Sequence, residues 1–69
     1  MVRLRIKDIA EKRQLNRYQL QMRAGVTMPL LSRYWNNRTE SVNLEALGKI
    51  AHALGVSVHE LFADNEEDR

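Results

Sequence analysis

A chain of 69 residues holds one small domain with a modest core, and 43% hydrophobic with 29% charged residues fits an ordinary globular fold. The absence of Cys excludes a disulfide framework and thiolate metal sites, and no apolar run approaches the ~20 residues that span a bilayer. The net charge of +2 conceals a split: residues 1–39 carry nine Lys/Arg against two Asp/Glu, and residues 40–69 carry two against seven. That split predicts one surface that meets polyanions and another that does not, the plainer account being unevenly spread solvated charge. Arg3, Arg5 and Lys7 interrupt any signal-peptide apolar core, so a cytoplasmic protein without membrane contact is expected.

Val2, Leu4 and Ile6 alternate with Arg3 and Arg5, the period of a short N-terminal strand. Such a strand needs a partner. It can pair with a second subunit, serve as a basic arm, or act as a lead-in that covers the core. Residues 7–14 read as a first helix with Ile6, Ile9 and Ala10 on one face. Asn16 with Gln19 makes a capping box that opens a second helix, with Leu20 and Ala24 inside and Gly25 ending it. Thr27 caps a third helix and Pro29 sits in its first turn, where a missing N–H does no harm. Leu31 and Tyr34 anchor that helix, which stops near Asn36 and Asn37. After a polar loop over 38–42, Asn43 caps a fourth helix whose stripe is Leu44, Leu47, Ile50, Ala51 and Leu54. Gly55 ends it, and Ser57 with Glu60 predicts a second capping box opening a short fifth helix through Leu61 and Phe62. The charged residues 64–69 read as a frayed acidic tail outside the domain of residues 1–63.

The stretch from Leu15 to Asn36 is thus two capped helices around a Gly-centred break, the helix-turn-helix unit. Its second helix lies in the DNA major groove when such units bind DNA. At about 100° per residue, Thr27, Leu30, Leu31 and Tyr34 face inward. Met28, Pro29, Ser32, Arg33 and Asn36 take the opposite arc. Arg33 is the best direct reader, because a guanidinium pairs bidentately with guanine; Met28 and Pro29 can pack only on thymine methyls, and Ser32 donates or accepts. Asn16 and Arg17 suit a phosphate at the start of the second helix, and Asn36, Asn37 and Arg38 suit one beyond the third. Plainer roles stay open: Asn16 as a cap, Arg38 as a solvated loop residue, Arg33 as a surface arginine. Trp35 is expected to pack against the fourth helix or the following loop, and Tyr18 to point outward. His52 and His59 have no metal-ligand spacing, and no catalytic set or phosphate loop is visible, so neither an enzyme nor a bound cofactor or metal is expected.

LNRYQL, AGVT and LLSRYWNN in the helix-turn-helix, together with LEALGKIAHALGVSVHELF, resemble the phage Cro/C1-repressor type of helix-turn-helix domain, the XRE family. The resemblance covers roughly residues 6–62. It implies an all-α, compact five-helix bundle and a sequence-specific transcriptional regulator, a repressor above all, bound as a homodimer to a palindromic double-stranded DNA operator. The family's base-reading positions fall on Met28, Pro29 and Arg33, with Ser32 nearby. Its phosphate-binding positions fall on Asn16, Arg17, Asn36 and Arg38, with Thr27 and Asn37 beside them. Three departures stand out: Arg17 where Gln is frequent, Gln21 where a small Ala is usual, and Met28 with Pro29 in place of polar readers. Gln21 is expected to open the angle between the second and third helices. The dimer is expected to use either Val2, Leu4 and Ile6 or Val58, Leu61 and Phe62. The competing reading is an antitoxin-like protein-interaction module, in which Met28, Leu30 and Trp35 hold a protein partner.

Overall fold

The computed structural model describes residues 3–39 and 41–63. Four α-helices and one 3-10 turn follow in chain order: α1 (Ile6–Lys12), α2 (Arg17–Ala24), α3 (Met28–Trp35), α4 (Leu44–Leu54) and the turn at Val58–Leu61. The core gathers the apolar faces that periodicity singled out. Ile6, Leu20, Leu31, Leu47, Ile50 and Leu61 are fully buried, and Tyr34 and Leu54 nearly so. α4 packs chiefly against α2, and α2 also against α3, so α4 backs the motif through α2. No buried side-chain polar atom lacks a hydrogen-bond partner among the described residues.

The caps explain where the helices begin. The Asn16 amide oxygen accepts from Gln19 N at 2.7 Å while Gln19 Oε1 accepts from Asn16 N at 3.0 Å, the reciprocal box expected. Asn43 Oδ1 accepts from Ala46 N at 3.0 Å. The ends share one device. A residue in left-handed backbone follows each helix: Gln14 (φ 60°), Gly25 (φ 74°), Asn37 (φ 57°) and Gly55 (φ 75°). After α1, α3 and α4 the next N–H then reaches back to the helix, as Leu15 to Ala10, Arg38 to Arg33 and Val56 to Ala51. α1 therefore stops two residues short of the expected Gln14, since Gln14 itself makes the reversal.

Four expectations are corrected. The fifth helix is a single 3-10 turn rather than an α-helix, and it is uncapped, because Ser57 Oγ bonds the Glu60 carboxylate (3.0 Å) instead of a backbone N–H. The expected capping box there is therefore absent. The N-terminal strand reduces to one antiparallel bridge, Leu4 with Phe62, flanked by Arg5 N to Leu61 O (2.6 Å) and Ala63 N to Arg3 O (2.9 Å). The two surfaces proposed for dimerisation thus cover each other within one chain, with Leu4, Ile6 and Leu61 buried; Met1 and Val2 lie outside the described residues, as do residues 64–69. Finally, Leu44 is not on the inner stripe but 71% exposed, and Ala46 is buried in its place.

Candidate nucleic-acid interface

α3 presents its surface because its own geometry divides it. Leu31 and Tyr34 are buried, Leu30 and Trp35 are half-buried, and Pro29, Arg33 and Asn36 are exposed. Met28 and Ser32, expected on the outward arc, are half-buried at its margins, and Thr27, expected inside, is exposed. Thr27 Oγ1 sits 3.4 Å from Leu30 N, a long capping contact that leaves the hydroxyl proton available to a ligand. Tyr34 is held from the loop side, its hydroxyl accepting from Asn43 N at 2.9 Å, which ties the end of the motif to the start of α4.

The turn between α2 and α3 is fixed by a bond that sequence patterning did not suggest. Gln21 Nε2 donates to the Val26 carbonyl at 2.7 Å, across Gly25. The residue that departs from the usual Ala thus bridges the turn. Val26 is itself buried, a core anchor as well as a turn residue.

At the start of α2, Asn16 and Arg17 are exposed. The Asn16 oxygen is occupied by the cap, but the residue is exposed and that bond does not use its amide N–H groups, so capping and donation to a ligand are compatible. The first N–H groups of α2 have no carbonyl partner within the helix and carry the positive end of its dipole. Beyond α3, Asn36 Nδ2 donates to Ser32 O at 3.0 Å and Arg38 is exposed. Asn37 differs from its neighbours. Its side chain brackets the Leu4 peptide, Oδ1 accepting from Leu4 N at 2.6 Å and Nδ2 donating to Leu4 O at 3.1 Å. Nothing in residue spacing announced that clamp, because its partner lies 33 positions away.

Trp35 is half-buried and packs against the core, and it also borders a shallow depression with Glu11, Gln14, Leu15, Asn16 and Gln19 at the α1–α2 junction. Tyr18 is 62% exposed, as its place on α2 implied. His52 and His59 are both exposed, and no cluster of metal-ligating side chains occurs among the described residues. No described helix is long and apolar enough to cross a membrane.

Charge matches this geometry. From Lys12 to Thr39 the chain has six Lys/Arg and no carboxylate, and α2, the turn, α3 and the residues that follow it as far as Thr39 fall in that stretch, which Glu40 ends. A family model for the Cro/C1-type helix-turn-helix DNA-binding domain matches residues 5–67. The chain belongs to that family. Solved Cro/C1-type relatives share its fold. SinR in a SinR–SinI protein complex is 29% identical with a TM-score of 0.83, over 94% of this chain and 63% of that one. This chain therefore spans less than two thirds of that SinR chain. The N-terminal DNA-binding domain of SinR from Bacillus subtilis is 29% identical with a TM-score of 0.80, over 90% of both chains. SinR in complex with DNA, described as the master regulator for biofilm formation, is 31% identical with a TM-score of 0.74, over 80% of this chain and 87% of that one. No curated protein matches the sequence.

Proposed function

We propose that this chain is a sequence-specific double-stranded DNA-binding transcriptional regulator, a cytoplasmic repressor that binds a palindromic operator as a homodimer. α3 enters the major groove. Arg33 reads a base edge, and Met28, Pro29 and Ser32 contribute methyl packing and one hydrogen bond at the helix tip. Asn16, Arg17 and Thr27 hold one phosphate strand, and Asn36, Asn37 and Arg38 the other. Residues 1–63 form the binding domain, and the acidic residues 64–69 stand outside it. The observation that carries this reading is the placement of exposed Arg33 on the outer arc of α3, between exposed cations at the start of α2 and after α3, in a stretch without carboxylates. Membership of the Cro/C1-type family supports it, as does the likeness to SinR solved with DNA.

With Leu4, Ile6 and Leu61 inside the protomer, Val58 and Phe62 are the half-exposed parts of the expected dimer surfaces that remain for a second copy. Selection of sites from random duplex DNA tests the whole reading. The expected result is an inverted repeat whose half-sites lie one helical turn apart, about 34 Å. Absence of any enriched sequence would sink it and favour a protein-interaction module.

A further inference from the structure

We infer that Arg3 is a further phosphate-binding residue of this interface, and that Asn37 is the residue that positions it. The inference rests on the DNA-binding reading above and extends it to a segment that precedes the helix-turn-helix by more than ten residues.

The Asn37 side chain grips both the N–H and the C=O of Leu4, at 2.6 and 3.1 Å. Asn37 is at once the left-handed residue that ends α3 and the neighbour of Arg38. Consecutive Cα atoms lie about 3.8 Å apart, so Arg3 and Arg38 are each one residue from the two ends of a single hydrogen-bonded clamp. Leu4 points into the core at 6% exposure, and its strand-like alternation sends Arg3 to the other side, where it is exposed. A second tether, Ala63 N to Arg3 O at 2.9 Å, fixes the Arg3 backbone from the C-terminal side. Arg3 is therefore a cation on an anchored backbone, beside the loop that leaves the recognition helix. Arg38 takes a phosphate there, and Arg3 takes another from the same strand. The clamp matters because an untethered arginine loses chain entropy on binding, whereas an anchored one loses only side-chain freedom.

The left-handed backbone at Asn37 supplies a clean test. Asn37→Gly keeps that conformation without strain and deletes only the amide. Affinity for a mixed-sequence DNA duplex is measured against salt for the parent chain, Arg3→Ala, Asn37→Gly, the double variant and Arg38→Ala, with circular dichroism confirming that each is helical. Each phosphate contact contributes about 0.9 to the log–log salt slope. Arg3→Ala is expected to lower the slope by about that amount, so a fourfold rise in salt costs it about 3.5-fold less affinity than the parent. Asn37 is uncharged and its own contact to a phosphate does not enter the salt slope, so Asn37→Gly should lower the slope only through Arg3, and the double variant should match the slope of Arg3→Ala alone. If Arg38→Ala lowers the slope while Arg3→Ala does not, Arg3 is no phosphate ligand and this inference fails with the DNA reading intact. If the two substitutions add in full, Asn37 does not act through Arg3 and the positioning role fails. If no variant changes the slope, the DNA reading itself falls and takes the inference with it.

Discussion

Arg33 is the exposed side chain of α3 best suited to make two directed hydrogen bonds to a base edge, because Pro29 offers none and the Asn36 amide, on the same arc, already donates to Ser32 O. Arg33→Ala is expected to cost about 1–3 kcal/mol on the preferred site and to flatten the preference at that base pair. Arg17→Ala removes a charge at the start of α2 and should weaken all sequences alike, with a salt slope lower by about one. Titrations on selected and scrambled duplexes separate the two effects, and equal loss on both duplexes for Arg33→Ala would remove its reading role. Helical periodicity put Arg33 on the outer arc and the cap at Asn16 put Arg17 at the start of α2, and both are exposed there. Neither signal made Asn37, Gln21 or Tyr34 visible in their structural roles. Each of those acts through a hydrogen bond to a backbone group, and the two that reach farthest join segments 9 and 33 positions apart. Backbone partners outside the local helix-capping pattern have no sequence signature, so only the folded chain reveals them.

Helix starts were legible because Asn16, Thr27 and Asn43 announce themselves by residue type, and all three side chains accept a backbone N–H. The Asn43 cap lies outside the elements proposed to face DNA, so Asn43→Ala isolates its worth: a loss of about 1 kcal/mol in denaturant unfolding with the salt slope of DNA binding unchanged. Helix ends were legible where Gly25 and Gly55 mark them and less so where Gln14 does the same work. Gln14 holds φ 60° with a Cβ, a conformation that costs an L-residue about 1–2 kcal/mol, part of which Gly would return through its own larger backbone entropy. Gln14→Gly is therefore expected to raise stability by about 0.5–1 kcal/mol. A lower unfolding midpoint would show instead that the Gln14 side chain, which lines the depression beside Trp35, contributes packing that outweighs the strain. The C-terminal 3-10 turn escaped prediction for a related reason. Ser57 and Glu60 have the spacing of a capping box, but Ser57 Oγ bonds the carboxylate directly, and sequence spacing cannot distinguish those two partners.

At the scale of the molecule, the motif is only as stable as the helix that backs it. At roughly 0.05–0.15 kcal/mol per residue, a chain this small is stable by about 3–10 kcal/mol in all. Ile50 is fully buried in α4, the helix that packs on α2, and lies outside the proposed DNA-contacting residues. Ile50→Ala should cost about 2–5 kcal/mol, a large share of that total, so a substantial part of the population unfolds without any contact to DNA being altered. DNA binds the folded state and pulls the equilibrium back by RT ln(1 + [DNA]/Kd), about 2.7 kcal/mol at a hundredfold excess over Kd. Ile50→Ala is thus expected to show weaker apparent affinity, a melting temperature that rises steeply with added duplex, and a parental salt slope. Arg38→Ala should show the reverse pattern, with a parental melting temperature in the absence of DNA and a lower slope. Calorimetric melts across a duplex titration, read beside the salt series, separate the two. A lowered slope in Ile50→Ala would mean that α4 sets the geometry of the phosphate contacts and does not merely keep them folded.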